Sequence, residues 1–450
     1  MKYLFTHLGD SIEFSMMILN YLVIAIDVIL LCIFSWFYFI YFFNSFKKEK
    51  PIKIVEPENK FAVLIAARNE SKVIRNILDS LKNQSYPKEL FKVFVIVESF
   101  NDPSVKIVKK YGENFVVVVR KNIGNKRTKG YALNDAISYI KKNKETFDAY
   151  MIFDADNVVS KDYLLTMNSL KKMGYQIGVG YRNYTNVSTN WISLTSGILF
   201  SFMNAFTSRG RSMLFNKATL TGTGYYIDSK IVDDAGGWIW NGMTEDVELT
   251  YYAYKNNIKM KYYPLIEYYD EQPTKYKVLH TQHVRWVWGF IGLNHKKFKS
   301  YNFNYDKKSS KKMHFFANFE LKLGIYPFLT FILLEIFLFI IDFVLGIVSV
   351  ANSLEYKVII NAFLFSIYHL FIAYVSFIVV AIFTVIIDKK NLKLKFRDYM
   401  LAVLTYPIFF IDFLLAFFDG LLHKNKRKNW SVIEHQGSII NQDLLTLRKE

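Results

Sequence analysis

Tyr150-Met151-Ile152-Phe153-Asp154-Ala155-Asp156-Asn157 decides the fold, because four apolar residues of strand character run straight into a polar stretch holding two carboxylates. The same form recurs upstream. The apolar run 61–66 leads into Arg68-Asn69-Glu70, and the run 93–97 leads into Glu98-Ser99-Phe100-Asn101-Asp102; 115–119 is a further apolar run. Segments 71–81, 130–140 and 162–172 have helical character and separate or follow these runs. Strands alternating with helices predict an α/β domain over 52–282, a mainly parallel sheet flanked by helices. Ligands of open α/β sheets bind outside the carboxyl ends of the strands. The polar residues that follow each run are therefore the first candidates for a site.

Outside that domain the composition changes. The 450 residues are 52% hydrophobic and 18% aromatic, too apolar for a wholly soluble chain. Apolar stretches at 14–43, 325–351, 358–387 and 399–422 are long enough to cross a hydrocarbon core of about 30 Å. The first lacks the basic start, short apolar core and small-residue end of a cleaved signal and is expected to be a span. The formal charge is +18. Its lysines flank the apolar stretches (Lys47, Lys48, Lys50; Lys389, Lys390, Lys393, Lys395; Lys424, Lys426, Arg427, Lys428), which is the pattern of cytoplasmic membrane loops. No reading motif accompanies the charge, so nucleic acid is not an expected partner. The single cysteine, Cys32, lies in an apolar run and excludes an intrachain disulfide.

Three clusters carry chemistry. Asp154 and Asp156 stand at i and i+2 after a buried strand, so both project to one side and offer hard oxygen ligands to Mg²⁺ or Mn²⁺. The plain alternative is a turn built with Asp. Further on, Thr244-Glu245-Asp246 opens a helical run. Its acidic residues suit a helix N-terminus, and a carboxylate there also suits a general base toward an attacking hydroxyl. Last comes Gln282-His283-Val284-Arg285-Trp286-Val287-Trp288. In it Arg285 can clamp phosphate oxygens and Trp286 can offer its ring to a sugar, and tryptophans at a membrane interface satisfy the same pattern.

In this order the clusters resemble glycosyltransferase family 2, in its membrane-bound branch of cellulose, hyaluronan and poly-N-acetylglucosamine synthases. The resemblance runs from Phe61 to Trp288. It also takes in Ala66-Ala67-Arg68-Asn69-Glu70, Lys129-Gly130-Tyr131-Ala132-Leu133-Asn134 and Thr221-Gly222-Thr223-Gly224. It implies a GT-A type fold inserted between transmembrane helices, a UDP-sugar donor, a divalent metal on Asp154 and Asp156, and inversion at the anomeric carbon. By the same resemblance Asp246 is the catalytic base with Glu245 beside it. Glu70, Glu98, Lys129, Asp154, Asp156 and Arg285 bind the donor, and Gln282 and Trp286 the acceptor. Two positions depart from the pattern: Glu98 stands where an Asp usually contacts uracil, and His283 where polymer synthases often carry Gln or Arg. Asn429-Trp430-Ser431 resembles the Trp-bearing segment that follows the last helix of such synthases.

The expected organisation is an N-terminal segment 1–50 with a span at 14–43, a cytoplasmic catalytic domain 51–300, an interface linker 301–324, transmembrane and interface helices 325–422, and a basic cytoplasmic tail 423–450. A multi-pass cell-membrane enzyme follows, with membrane lipids, a UDP-sugar and a growing glycan or a lipid acceptor as partners. No feature names an accessory subunit. Lysines at 388–398 and after His423 both ask to be cytoplasmic although one apolar stretch separates them, so 399–422, interrupted by Pro407, is expected to be a broken or interface-lying pair of helices. Glu335 with Asp342 and Asp412 with Asp419 repeat at i, i+7 in apolar stretches, as a hydrated sugar path or interhelical hydrogen bonds would require. Processive synthesis of a glucose or N-acetylglucosamine polymer, with export through the helices, is the expected function. Single-sugar transfer to a lipid is the alternative of the same chemistry. A non-catalytic transporter or scaffold would not need the carboxylates.

Overall fold

The computed structural model describes residues 49–292 except Asn122 and Asn125, residues 326–423 except Ser353 (side chains from Glu335 on), and scattered residues between Asp10 and Lys47. The expected span at 14–43 is thus described in part. The linker at 301–324 and the tail from Lys424, with Trp430, lie outside the described residues. The chain divides into two compact units, Met1–Phe42 with Lys311–Phe383, and Phe43–Ser310 with Thr384–Glu450.

In the larger unit the four expected runs form β1 (Phe61–Ala66), β2 (Phe91–Val97), β3 (Phe115–Val119) and β4 (Ala149–Asp154). They pair in parallel in the order β3-β2-β1-β4. Phe61 to Ile65 are fully buried, as continuous apolar runs are when helices cover both faces. The covering helices on this half are α1 (Ile74–Lys82), α2 (Pro103–Val108), α3 (Lys129–Lys142) and α4 (Tyr163–Lys172). In α1 the residues Ile74, Ile77, Leu78 and Leu81 fall at i, i+3, i+4 and i+7 and all are buried. Asp102 starts α2 by accepting the Ser104 N–H, with Pro103 preset for the first turn.

The other half of the sheet differs from the expectation of a mainly parallel array. Strands β5 (Val158–Val159), β6 (Ile177–Tyr184), β7 (Tyr225–Asp228) and β8 (Met260–Asp270) complete an eight-stranded mixed sheet among the described residues, in the order β3-β2-β1-β4-β7-β6-β8-β5. β7 runs antiparallel to both β4 and β6, and β5 to β8, while β6 and β8 are parallel. These strands carry Gly, Tyr and charged residues in place of unbroken apolar runs, so their strand character comes from the sheet they pack into. Helices α5 (Trp191–Phe202), α6 (Arg211–Phe215), α7 (Ser229–Asp234), α8 (Glu245–Lys255) and α9 (Tyr276–Ile291) complete this half, with a π-helical stretch, Met203–Gly210, joining α5 to α6.

Three long helices follow: α10 (Tyr326–Ala351), α11 (Tyr356–Leu392) and α12 (Phe396–Leu422). The most apolar stretches of α11 and α12 have mean hydropathies of 2.9 and 2.2, enough to cross a membrane. Contrary to the expected break, α12 runs unbroken through Pro407. Proline removes one donor from the helical ladder, but packing holds the turn: Phe409 is buried with Ile192 and Leu279, and Trp191, Leu199 and Phe413 close around them. Of the most apolar stretch of α12, 44% is buried, against 17% for α11. In the smaller unit the Glu335 carboxylate meets His369 Nδ1 at 3.0 Å, and Asp342 lies 3.7 Å from Nε2. Asn20 Oδ1 lies 2.8 Å from that same nitrogen. These groups make interhelical polar contacts.

One buried ion pair ties β6 to β8. Arg182 Nε donates to Asp270 Oδ2 at 2.9 Å and Nη1 to the Thr221 carbonyl at 2.9 Å, while its guanidinium lies over the Phe200 ring at 3.7 Å. Removing one partner of such a pair leaves a buried charge unmatched. We expect Arg182→Met to cost about 3–5 kcal/mol, read as a lower denaturation midpoint, and Arg182→Met with Asp270→Leu to recover most of the loss.

Candidate active site at the strand ends

Register brings the first residues together. Ala66 pairs with Ile96 on one side and Asp154 on the other, so the segments leaving β1, β2 and β4 emerge at one edge. Asn69 takes a left-handed conformation (φ 62°), a bend that Asn tolerates, and its N–H donates to Asp102 Oδ2 at 2.8 Å. Arg68 Nε lies 3.3 Å from Glu98 Oε2, so the carboxylate that departs from the family pattern is ion-paired to the motif before it. Glu70 is half-buried, and its carbonyl accepts the N–H groups of Val73 and Ile74.

At the end of β4 the turn is locked from behind. Fully buried Asn157 accepts the Asp154 N–H at 3.0 Å through its side-chain oxygen, and the Thr223 hydroxyl also lies 3.0 Å from that nitrogen. The Asn157 amide donates to Asp156 Oδ1 at 3.3 Å. Asp154 and Asp156 are thereby fixed while remaining partly open. Lys129, buried at the start of α3, donates to Asp154 and, at 2.8 Å, to the Gly222 carbonyl. Gly222 itself has φ +87°, which a side chain would strain. A Cβ there would lie 3.6 Å from Asp246 Oδ2. The glycine turn, Lys129, Asp154 and Asp246 therefore border one crevice.

Thr244 occupies the N-cap position of α8 without a side-chain capping bond, and Glu245, Asp246 and Glu248 fill the acidic first turn. Glu245 is buried. Burial, with Asp246 adding to it, raises its carboxyl well above the usual range, and the Lys129 ammonium partly offsets this. Burial likewise raises Asp246, against the Val247 N–H and the nearby Lys129 and Arg285 charges. A carboxylate so placed takes up a proton more readily than an exposed one. Burial lowers Arg285, and Glu245, Asp154 and Asp246 oppose that shift. Arg285 is therefore within electrostatic reach of all three carboxylates.

Trp286 packs among aromatic rings. It is half-buried, edge-on to Phe200 at 5.9 Å and near-parallel to Phe413 at 6.3 Å. Gln282, also half-buried, lies three residues before Arg285 on the same side of α9. His283 is fully buried and directed to Asp412, its Nδ1 2.6 Å from the carboxylate. Asn157 and Arg182 are supports that sequence reasoning missed, and Thr223, quoted there only within its glycine segment, is a third. Asn157 follows the paired carboxylates directly, which is a legible signal; Arg182 has none, because its partners come from β8 and the Thr221 turn.

The model for the Glycosyltransferase like family 2 family matches residues 57–289. A probable glycosyltransferase, YdaM of Bacillus subtilis, is 28% identical over 239 residues, 51% of this chain and 55% of the relative. A beta-monoglucosyldiacylglycerol synthase of Trichormus variabilis is 26% identical, over 51% of this chain and 48% of its own. A poly-beta-1,6-N-acetyl-D-glucosamine synthase of Staphylococcus aureus is 25% identical, over 54% and 58%. The chain spans about half the length of the curated relatives it matches. Among solved structures, a Pyrobaculum calidifontis mannosyltransferase in complex with GDP-Man and Mn²⁺ aligns over 91% of this chain and 99% of that one, with 14% identity and a TM-score of 0.49. The family match takes in every strand of the sheet and more than half of the 450 residues, and on that footing the chain belongs to glycosyltransferase family 2.

Proposed function

We propose that the chain is an inverting hexosyltransferase that moves glucose or N-acetylglucosamine from a UDP-sugar onto a growing polysaccharide at the cytoplasmic face of a cell membrane. The observation that carries this is one crevice at the strand ends where Lys129 joins Asp154 to the Gly222 turn beside Asp246, with Glu245 and Arg285 within electrostatic reach. In a direct displacement the acceptor oxygen bonds to the anomeric carbon as the bond from that carbon to the diphosphate breaks. Asp246 takes the hydroxyl proton. Lys129 and Arg285 receive the charge that develops on the departing diphosphate. Glu245, buried and shifted upward, holds the negative charge of the pocket in check beside Asp246.

The donor set fits a divalent cation. Asp154 and Asp156 are hard oxygen ligands on one turn, and no cluster of three His, Cys, Asp or Glu side chains forms a closed cage among the described residues. Mg²⁺ is commonly held in this way, by one or two carboxylates with substrate phosphates and water completing the shell. Mg²⁺ or Mn²⁺ there would neutralise diphosphate charge.

Trp286 and Gln282 are assigned to the acceptor, and the partly open indole would hold the terminal sugar so that its next hydroxyl meets Asp246 after each addition. Export past the apolar helices belongs to the same reading, although the carboxylates expected along that route are held in polar contacts with neighbouring helices. Transfer of one sugar to a lipid is the second reading. It is favoured by α12, whose exposed Ile408, Ile411 and Leu415 bring apolar surface beside α9, and one relative is named a beta-monoglucosyldiacylglycerol synthase.

Product size separates the two. Membranes incubated with individual radiolabelled UDP-sugars should yield a ladder or long chain; a single sugar on an extractable lipid, unchanged by longer incubation, selects the second reading. Asp246→Asn should lower turnover by about 10²-fold or more with donor binding retained, and near-normal turnover removes Asp246 from the mechanism. EDTA should abolish transfer and Mn²⁺ or Mg²⁺ restore it, with Asp156→Ala weakening donor binding. Full activity in chelator would contradict the metal assignment.

A further inference from the structure

Helix α9 has two working faces. Tyr276, His280 and His283 stand at i, i+4 and i+7 and so share one face. All three converge on a single carboxylate of α12: the Tyr276 hydroxyl donates to Asp412 Oδ1 at 2.6 Å, and His280 Nδ1 and His283 Nδ1 lie 2.7 Å and 2.6 Å from its oxygens. His280 Nε2 reaches Asp419, about two turns further along α12, at 3.3 Å. Aromatic contacts extend the seam. The His283 ring stacks on Phe413 at 4.0 Å, and Trp288 stacks on Phe417 at 5.7 Å with its indole edge against Gly420, where no Cβ would fit. At about 100° per residue, Arg285 and Gly289 fall on the opposite side of α9. That side meets Thr244: a Cβ at Gly289 would come within 2.7 Å of Thr244 Cγ2. α9 is thus held between α12 and the segment that carries Glu245 and Asp246.

We infer that Asp412 is a positioning residue for transfer, fixing the rotation and height of α9 so that Arg285 is delivered to Asp246, Glu245 and Asp154. Asp412 is 2% exposed and His283 fully buried. Without the Asp412 carboxylate the buried His283 would lose its partner, along with the partly buried His280 and the exposed Tyr276, and turning or sliding of the helix would relieve that loss. Such a movement carries Arg285 with it. His283, one of the two departures from the family pattern, acquires a purpose here, since an imidazole of this reach closes the bond to Asp412.

The inference rests on the proposed roles of Asp246 and Arg285, and steady-state kinetics per folded molecule in a double-mutant cycle tests it. Asp412→Asn should lower kcat by roughly 10²-fold and raise donor KM, and Asp412→Glu, which keeps an ionised acceptor, should recover part of both. Combined with Arg285→Lys, it should lower activity little beyond Arg285→Lys alone, because both changes remove one placement. Fully additive losses, or an unchanged kcat in Asp412→Asn, overturn the inference. If Asp412→Asn does not fold, Tyr276→Phe with His280→Gln weakens the same clamp and is read in the same way. A wild-type protein that turns over no UDP-sugar would defeat the proposed function instead. Amide exchange across Tyr276–Ile291 then decides: faster exchange in Asp412→Asn than in wild type supports the clamp, and equal exchange overturns it.

Discussion

The buried ammonium of Lys129 is the contact on which the site depends. It binds two segments that are far apart in the chain, the end of β4 through Asp154 and the glycine turn through the Gly222 carbonyl. Since Gly222 borders Asp246, the same cation also sets the distance from the paired carboxylates to the start of α8. A Lys in this position is costly to bury and is retained where its charge is matched. Asp154, Glu245 and Asp246 share the crevice with Lys129 and Arg285, and the upward shift of Glu245 limits their combined negative charge. A cation-bound diphosphate sugar brings charge of both signs, which suits a pocket of mixed polarity.

How much of this was legible depended on where each residue finds its partners. The strands β1 to β4 announce themselves as nearly unbroken apolar runs of strand length, and the helices α1, α3 and α4 by apolar residues at helical spacing. Asp154, Asp156, Asp246 and Arg285 were legible as motifs, since their spacing survives in the linear sequence. β6 and β8 were not. In β6, Gly178 and Gly180 interrupt the run because Tyr226 and Tyr163 occupy the space a Cβ would need, a requirement imposed by residues elsewhere in the chain. Arg182 was hidden for the same reason, its function being to satisfy Asp270 and Thr221 together.

Pro407 shows the opposite failure, a strong local signal overruled. Read alone it predicts a break, because proline forfeits a ladder bond and crowds the preceding turn. In the structure α12 is laid against α5 and α9, and the burial of Phe409, with the hydrogen bond of 2.6 Å between the Thr195 and Thr405 hydroxyls, offsets that loss. Burial also explains why Asp412 and Asp419 can occupy so apolar a helix. Carboxylates in hydrocarbon are expensive unless they meet donors, and the histidines of α9 supply them. His280 bridges the two, with Nδ1 toward Asp412 and Nε2 toward Asp419.

The same packing bears on the conflict between the lysine clusters at 388–398 and beyond His423. A full crossing by α12 would place them on opposite sides of the membrane, against the tendency of lysines to remain cytoplasmic. α12 instead groups with the unit that holds the sheet and the carboxylates, and two of that unit's own helices cover nearly half of its most apolar stretch. A helix held in this way spends part of its apolar surface on the catalytic unit and leaves a second apolar face, with Ile411, Leu415 and Phe418, exposed, so its length and hydropathy alone do not require a full crossing.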